Sequence, residues 1–341
     1  MRRIFALLLL PLFFSSCDMD PIGLQLEAGW QAKSVAVWRN MRPDMMALSA
    51  NGTWLYISCE TRASVSLPSL VVINLKNGRR HVLVSGLMRA DALKFAPDGS
   101  LWIGEEFPEG LIWRIADVDK LPPDQTVERM SMYVSDDAIA PYRPAGRFAH
   151  EGLTFSADHR FAYLADEDKN GAIYRLELKS RRLDVLDGNF RWREVRDPDD
   201  ARAAARQMQA ASFNRLEDME TLPDGRIVLA ETDAGRVLVM QDHGEHATVE
   251  TLLQDGRIVH PDNLAWDDKR HLLWITDDSK PSALWVWDGR EATRIALHRQ
   301  AEITGVLPVG DDIYINLQGG ETAPELTVKL YTSESSEFSA R

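Results

Sequence analysis

Acidic residues recur at one position of a repeated segment, and this spacing is the feature of the chain most suited to chemistry. Each segment is a short apolar strand, a turn rich in Asp, Gly or Asn, and a second apolar strand. The key positions of the six segments are separated by 47, 60, 66, 45 and 42 residues. Five of the six positions are acidic, and in chain order they hold Asp44, Asp91, Glu151, Glu217, Asp262 and Thr304. A carboxylate that recurs with a repeat predicts one site to which most repeats contribute.

The repeat also predicts the fold. Regularly spaced short strands with turn signals between them are typical of all-β proteins, and the shorter spacings match one four-stranded blade of a propeller. The six copies therefore predict an all-β, six-bladed β-propeller over residues 24–333, followed by a C-terminal tail at 334–341. The segment LQLEAGWQAKSVAVWRN, which begins at Leu24, is expected to supply the outer strand that closes the ring.

Two blades carry insertions, at about 117–149 and 179–214. The first is rich in proline and glycine, which predicts an irregular loop. The second contains DPDDARAAARQMQAAS, which predicts a short helix with Asp197 as its N-cap and Pro198 at its first position. The fourth strand of a blade ends on the face where the next blade begins, so both insertions are expected to lie over the mouth of the central channel.

In a propeller the first strand of each blade lines the channel, so the five acids should surround one of its mouths. The second strand is antiparallel and returns to the same mouth, where further acids follow the first acid after 14 to 16 residues. This outer position holds Glu60, Glu105 and Glu106, Asp166 and Glu167, Glu231 and Asp233, and Asp277 and Asp278. Two carboxylates about 8 Å apart repel by roughly 2 kcal/mol at an effective dielectric constant near 20. Cations or protons must therefore relieve the two rings.

The types of side chain narrow the choice of cation. Carboxylate oxygens suit calcium, magnesium, manganese or ferric iron, and a tetrahedral zinc site is not expected without Cys and His clusters. Alternatively, the ring holds one structural cation, or its acids pair with arginines. Arg42, Arg89 and Arg215 each stand two residues before a ring acid. They would either compensate the acids or hold phosphate oxygens beside a metal ion.

Charge and the N-terminal residues bear on partners and location. The formal net charge is −13, which argues against nucleic acid as the main partner. MRRIFALLLLPLFFSSC has a basic start, an apolar stretch too short to span a bilayer, and small residues at its end. We predict a lipoprotein signal peptide at 1–16, lipidation at Cys17 and a tether at 17–23; an ordinary cleaved signal is the alternative. The expected location is the bacterial cell envelope, facing the periplasm and anchored to a membrane by the lipid on Cys17, with Asp18 indicating the inner membrane.

Four motifs, WIGEEF, HEGLTF, RLEDME and HPDNLAW, together resemble the PhoX-like alkaline phosphatases. The resemblance implies an exported six-bladed propeller that hydrolyses phosphate esters at an acidic site holding calcium and ferric iron. It implies Arg215 as a contact for a small-molecule phosphate ester, and Arg89, at the same place in its own repeat, is expected to be a second contact. The family's iron-binding cysteine is replaced by Asp91, which weakens the case for iron more than for calcium. The metal ligands that it implies, with Asp91 in place of the thiolate, are Asp91, Glu105, Glu106, Glu151, Glu217 and Asp262.

Two other functions remain open beside a metal-dependent phosphoric ester hydrolase. A lactonase- or esterase-type propeller would use one divalent cation, for which Glu151, Glu217, Asp262 and Asn263 supply suitable oxygens. A propeller lipoprotein that binds or scaffolds a partner would keep the cation for stability alone, because a propeller fold does not determine function.

Overall fold

The computed structural model describes residues 22–64, 66–118, 127–128, 139–319 and 323–332. These residues form six sheets of four or five strands, one for each predicted repeat. The inner strands of neighbouring sheets contact one another in a closed ring. The prediction of an all-β, six-bladed β-propeller is confirmed. The predicted signal peptide, the lipidation site Cys17 and the C-terminal tail lie outside the described residues.

The first three blades and the strands before them have the following bounds. The chain begins with β1 (Leu24–Leu26) and β2 (Trp30–Trp38). Blade 1 is formed by β3 (Pro43–Leu48), β4 (Trp54–Cys59), β5 (Pro68–Asn74) and β6 (Arg80–Ser85). Next come β7 (Ala90–Phe95), β8 (Leu101–Glu105), β9 (Ile112–Ile115), β10 (Val127–Glu128) and β11 (Ile139–Pro141). All of these except β10 belong to blade 2. Blade 3 is formed by β12 (His150–Phe155), β13 (Phe161–Asp166), β14 (Ile173–Glu177), β15 (Leu183–Leu186) and β16 (Trp192–Val195).

The helices and the last three blades follow. A 3-10 turn at Pro198–Asp200 leads into α1 (Ala201–Gln207), and other 3-10 turns lie at Arg143–Ala145 and Thr232–Ala234. Blade 4 is formed by β17 (Leu216–Thr221), β18 (Ile227–Glu231), β19 (Arg236–Asp242) and β20 (Ala247–Leu253). Blade 5 is formed by β21 (Pro261–Asp267), β22 (Leu272–Asp277), β23 (Ser282–Trp287) and β24 (Ala292–His298). Blade 6 contains β25 (Glu302–Val309), β26 (Asp312–Gln318) and β27 (Glu325–Thr332).

The N-terminal segment closes the ring as predicted. Strand β2 pairs antiparallel with β27 and becomes the outer strand of blade 6, so the two ends of the propeller share one sheet. The indole N–H of buried Trp38 donates to Thr327 Oγ1 at 2.9 Å. A closed ring removes the free sheet edges through which open sheets aggregate. Strand β1 also pairs with β24 on the outer edge of blade 5, which the sequence did not predict.

The apolar core lies between the blades rather than at the channel. Each of six clusters of buried side chains fills one interface between neighbouring blades. Tyr174 and Phe148 are fully buried and stack with ring centroids 4.3 Å apart. Burying a large apolar side chain contributes about 1.5–3 kcal/mol, so the six interfaces stabilise the ring and leave the channel to polar residues.

The two insertions follow different paths. Ile115 and Ile139 are partners in β9 and β11, so the first insertion leaves and re-enters blade 2 at the face opposite the acidic mouth. Strand β10 lies on the outer edge of blade 1, beside β6. This placement differs from the predicted one because the segment joins the third and fourth strands of one blade. The second insertion contains the predicted helix α1, whose Arg202 Nε donates to Asp166 Oδ2 at the mouth end of β13, at 2.8 Å.

Among the described residues, no helix combines the length and apolar composition needed to cross a membrane.

Candidate functional site

A β-bulge at the start of each inner strand positions the ring acids. The pairing register shifts in all six blades, between residues 43 and 46 in β3 and at the equivalent place in the other five inner strands. The recurring acid is the second residue of the strand, inside the bulge. A bulge redirects a side chain that strict alternation would send into the sheet. The five acids are therefore brought together at one mouth of the channel.

All five inner acids are at least nine-tenths buried, with exposed fractions of 3–8% for Asp44, Asp91, Glu151, Glu217 and Asp262. The sixth position, Thr304, is also buried, and its hydroxyl donates to the Pro43 carbonyl across the ring closure, at 3.0 Å. Buried carboxylates are costly unless they are paired, protonated or bound to a cation. The ring is therefore built to hold positive charge.

Two groups of carboxylates are close enough to hold a metal ion, and they share Glu151. Ligand oxygens of Glu151, Glu217 and Asp262 lie within 4.8 Å of one another, as do those of Glu106, Glu151 and Glu167. Asp91 Oδ1 and Glu151 Oε2 are buried and have no hydrogen-bond partner among the described residues. Oxygen atoms of this kind fit a hard cation such as Ca²⁺, which binds carboxylates at about 2.3–2.6 Å.

Burial raises the pKa of the inner carboxyls. It raises the pKa values of Asp44, Asp91, Glu151 and Asp262 well above their ordinary range, and the neighbouring acids raise them further. The pKa of Glu217 is also raised by burial, although a hydrogen bond from Glu151 and the nearby Arg215 oppose the shift. Without a cation, burial therefore favours the protonated over the charged form of these carboxyls. A bound cation would take the place of such protons.

The outer acids divide into two sets with different roles. The last acid of a second strand accepts backbone N–H groups from the loop that enters its blade. Glu105 Oε1 accepts from Met88 N at 2.9 Å, and Glu231 Oε1 accepts from Asn214 N at 2.9 Å. The structure therefore does not bring Glu105 into either metal group, although the resemblance implied it as a ligand. The residue after the second strand forms the other set, which comprises Glu60, Glu106, Glu167, Thr232 and Asp278. In blade 6 the corresponding residue is Gln318, the last residue of β26.

In blade 1 the loop-capping position is held by Cys59, which is fully buried. Burial raises the pKa of its thiol, and nearby Glu325 and Asp44 raise it further. A metal-binding cysteine must be a thiolate. The site thus contains carboxylate oxygens and no thiolate ligand among its described residues, which fits calcium and not the cysteine-bound iron of the resemblance.

The three arginines that were predicted beside the ring each contact side chains of two neighbouring blades. Arg42, Arg89 and Arg215 have positive φ values of 46°, 46° and 58°. The Arg89 guanidinium lies 2.5 Å from Glu60 of blade 1 and 2.5 Å from Glu106 of blade 2. Left-handed backbone at a residue other than glycine is uncommon, and it clusters at functional sites.

Arg215 makes the same kind of clamp between blades 3 and 4. Its Nε donates to Glu167 Oε1 at 2.9 Å, and its guanidinium contacts Glu217. Arg42 lies 2.5 Å from Glu60 and donates to Gln318 Oε1 of blade 6 at 2.6 Å. The arginines therefore compensate ring acids, which was one of the two predicted roles. The side chains of Arg42, Arg89 and Arg215 stay 50%, 44% and 32% exposed, so each also faces solvent at the mouth.

Two site residues were missed from the sequence. Glu302 stands two residues before Thr304, where three other blades have arginine, and the nearby Asp278 raises its pKa in addition to burial. Gln318 Nε2 donates to Asp44 Oδ2 at 3.2 Å and to Glu60 Oε2 at 3.1 Å. Both follow the repeat spacing, so aligning the sixth copy position by position would have found them.

Below the ring a salt bridge crosses the channel. Lys94 of blade 2 lies 2.5 Å from Glu220 of blade 4, and these two blades are not neighbours. Asp218 is buried near Lys94, and its pKa is raised to about 7, chiefly by burial. The Asp218 carboxylate also accepts the Leu264 N–H of blade 5 at 2.9 Å. This layer narrows the channel beneath the carboxylates and leaves the mouth as their open side.

Asn263 lies beside the ring, but its side chain binds the backbone of the neighbouring blade. Its Oδ1 accepts the Gly305 N–H of blade 6 at 2.5 Å. Of the lactonase-type ligand set predicted from Glu151, Glu217, Asp262 and Asn263, the structure brings the three carboxylates together. The amide oxygen of Asn263 instead links the inner strands of blades 5 and 6.

The fold and the site define a six-bladed β-propeller with a ring of buried carboxylates at one channel mouth. No family model and no curated protein matches the chain. The solved structures similar to it include a putative gluconolactonase, with a TM-score of 0.61, 9% identity and coverage of 90% of this chain and 94% of that one. A luciferin-regenerating enzyme has a TM-score of 0.61, 8% identity and coverage of 89% and 96%.

A gluconolactonase from Xanthomonas campestris is also similar, with a TM-score of 0.58, 12% identity and coverage of 90% of this chain and 91% of that one. Identities this low establish the fold alone. None of these three structures is described as a phosphatase. The resemblance to PhoX-like alkaline phosphatases is thus supported for its six-bladed propeller and not for its family.

Proposed function

We propose that the protein is a divalent-cation-dependent hydrolase of the lactonase or esterase type, with calcium as the cation. The observation that carries the proposal is the group formed by Glu151, Glu217 and Asp262, whose oxygens converge within 4.8 Å at the open mouth. The similarity to two gluconolactonases supports the fold required for such an enzyme. The proposal replaces phosphate ester hydrolysis as the leading function.

The residues around the group have distinct roles in this proposal. Glu151, Glu217 and Asp262 would hold the cation, which when bound would polarise a carbonyl oxygen and lower the pKa of a water ligand. Arg215 orients Glu217 and Glu167 through its two contacts. Asp91 is buried and its Oδ1 has no hydrogen-bond partner among the described residues. Its pKa is raised in the metal-free protein, so it would accept the proton that the attacking water loses only once a bound cation lowers that pKa.

A phosphoric ester hydrolase remains the second candidate, because Arg89 and Arg215 are partly exposed beside the carboxylates. An arginine can hold a phosphate through two parallel hydrogen bonds, which a lactone does not require. A binding or scaffold propeller with one structural cation is the third candidate. It would bind calcium at the ring without turning over any substrate.

A substrate panel separates the three candidates. Purified protein would be assayed with a sugar δ-lactone, an aryl acetate, an aryl phosphate and a diaryl phosphate, each with calcium, manganese, ferric iron or EDTA. We expect lactone or ester hydrolysis that calcium supports and EDTA abolishes. Turnover of phosphate esters alone would favour the second candidate. Calcium binding without turnover of any of the four substrates would favour the third.

We further propose export to the bacterial cell envelope, with a lipid on Cys17 anchoring the propeller at the periplasmic side of a membrane. This proposal rests on the N-terminal sequence pattern alone. In cell fractionation, the wild-type protein should sediment with membranes, and Cys17→Ala should release it to the soluble fraction. Equal membrane association of both proteins would contradict lipidation at Cys17.

A further inference from the structure

A separate cavity lies on the far face of the propeller, opposite the acidic mouth. Its volume is about 860 Å³, within the ~300–1,000 Å³ typical of small-molecule sites. It opens between blades 2 and 3, where the turns β7–β8, β12–β13 and β14–β15 meet. These turns join strand ends remote from the ring acids, so the far-face cleft is independent of the proposed hydrolase.

Aromatic side chains form the floor of this far-face cleft. The Trp102 ring lies 4.9 Å from the Tyr142 ring and 5.2 Å from the Phe155 ring, measured between centroids. The indole N–H of Trp102 donates to Ser100 Oγ at 3.0 Å. This hydrogen bond satisfies the only polar atom of the Trp102 side chain and holds the ring in place. Tyr142 is half-buried and presents an aromatic surface to the cleft.

The acids of the far-face cleft are already engaged. Asp98 Oδ2 accepts from Arg114 at 2.7 Å, and its other oxygen accepts from the Ser100 hydroxyl at 2.5 Å. Glu177 accepts from the Ser180 hydroxyl at 2.5 Å, and Arg160 lies 3.7 Å from it. Neither carboxylate is left to neutralise the remaining cations of the cleft.

Those remaining cations are Lys179 and Arg181. Neither makes an ion pair with any residue in the described ranges, and both line the cleft together with Tyr142. His159 lines the same cleft. The far-face cleft is thus locally positive on a chain whose net charge is −13. Local charge opposite in sign to the net charge favours an anion here over elsewhere on the surface.

The backbone of blade 3 sets these residues apart from their counterparts in other blades. His159 and Arg181 have φ values of 61° and 63°. Several other blades have glycine at the equivalent positions, Gly52, Gly99 and Gly225 for His159 and Gly78 and Gly289 for Arg181, whereas blade 5 has His271 in the turn equivalent to that of His159. Left-handed backbone suits glycine and disfavours an arginine. Blade 3 therefore carries two side chains at strained positions, and both line the far-face cleft.

We propose that the far-face cleft binds a small organic anion that carries a planar ring. Lys179, Arg181 and His159 hold the anionic group, because guanidinium and ammonium groups make strong charge-assisted hydrogen bonds to carboxylate, sulfonate or phosphate oxygens. The Tyr142 ring packs against the planar part in an offset or edge-on arrangement.

Titration calorimetry with naphthalene-1-sulfonate tests this proposal, because the probe combines a planar ring with an anion. Wild-type protein should bind it saturably at one site. The double variant His159→Gly/Arg181→Gly should bind at least tenfold more weakly, because tenfold corresponds to about 1.4 kcal/mol, roughly the value of one charge-assisted hydrogen bond. Glycine is the residue that several other blades have at these positions and it suits left-handed backbone, so the variant should melt no lower than wild type.

His271→Gly is the matched control, because His271 has a φ of 55° in the equivalent turn of blade 5, outside the far-face cleft. It should bind the probe like wild type. Absence of saturable binding, or equal affinity in the double variant, overturns the proposal. Competition by sodium sulfate as strong as that by the probe itself would show a site for inorganic anions only, and would overturn the requirement for a ring.

Discussion

Glu151 and Glu217 lie on neighbouring inner strands, β12 and β17, and a carboxylate oxygen of each lies within 4.8 Å of the other at the mouth of the channel. Burial raises the pKa of both carboxyls, which favours retention of a proton when no cation is bound. Both belong to the group that also contains Asp262. A divalent cation and this proton therefore compete for the same oxygens, and the first two predictions follow from that competition.

Removing a ring carboxylate should abolish stabilisation by calcium. A ligand at 100 times its dissociation constant stabilises the folded state by about 2.7 kcal/mol. Wild-type protein should melt several degrees higher with calcium than with EDTA, and Glu217→Gln should lose most of that difference. Differential scanning calorimetry measures both values. Asp224→Asn is the control, because Asp224 is exposed in the turn between β17 and β18. A calcium shift retained by Glu217→Gln would contradict the assignment of the group.

The metal-free protein should lose stability as pH rises. Burial raises the pKa of Glu106 to about 10 and that of Glu302 to about 8, from the ordinary glutamate value of 4.5. Between 4.5 and these values the folded state binds more protons than the unfolded state, so the free energy of unfolding falls with increasing pH. Melting temperatures in EDTA should decline from about pH 5 to 8, and calcium should reduce the decline. A flat profile in EDTA would show that the ring carboxyls titrate normally.

Replacing Arg215 should strengthen calcium binding while weakening the metal-free fold. Its guanidinium contacts Glu217 and lies 2.9 Å from Glu167, so it repels a cation bound beside them. In Arg215→Gln the calcium affinity should rise by roughly tenfold, given that unit charges a few ångströms apart interact by a few kcal/mol at an effective dielectric constant near 20. Its melting temperature in EDTA should fall. Calorimetric titration with calcium measures whether the affinity rises or falls. Weaker binding by the variant would contradict the prediction and would mean that Arg215 chiefly positions the ligands.

Ring closure should depend on Trp38. Its side chain is buried, and its indole N–H donates to Thr327 of the C-terminal strand. Trp38→Ala should cost about 3–5 kcal/mol of unfolding free energy, measurable by urea denaturation. Val37→Ala is the control, since Val37 is the adjacent residue on the same strand and is 56% exposed. Similar losses for both variants would mean that the outer strand contributes through its backbone pairing alone.

The architecture could be predicted from the sequence because one pattern repeats six times. The spacing of the acids located each inner strand, and the segment beginning at Leu24 was correctly expected to close the ring. The prediction for the first insertion was wrong: its two ends lie on the face opposite the acidic mouth. Sequence length alone does not show whether an insertion joins two blades or two strands of one blade, as it does between Ile115 and Ile139.

The site was predicted as a ring but not in its detail. Glu105 and Glu106 are consecutive acids, and only the strand end and its loop determine that Glu105 caps Met88 while Glu106 faces the mouth. The partners of the arginines could not be predicted either. Arg89, for example, bridges Glu60 and Glu106, which belong to two blades and are far apart in the sequence. The far-face cleft has no motif, and only a comparison of Arg181 with Gly78 in the equivalent turn reveals it.

Elemental analysis of the purified protein tests the central claim most directly. Wild-type protein equilibrated with calcium and freed of excess by gel filtration should retain at least one calcium ion per chain. Glu151→Gln should retain less, because Glu151 belongs to both groups of converging carboxylates. A wild-type protein without any bound calcium or other divalent cation would contradict the account of the channel mouth as a cation site.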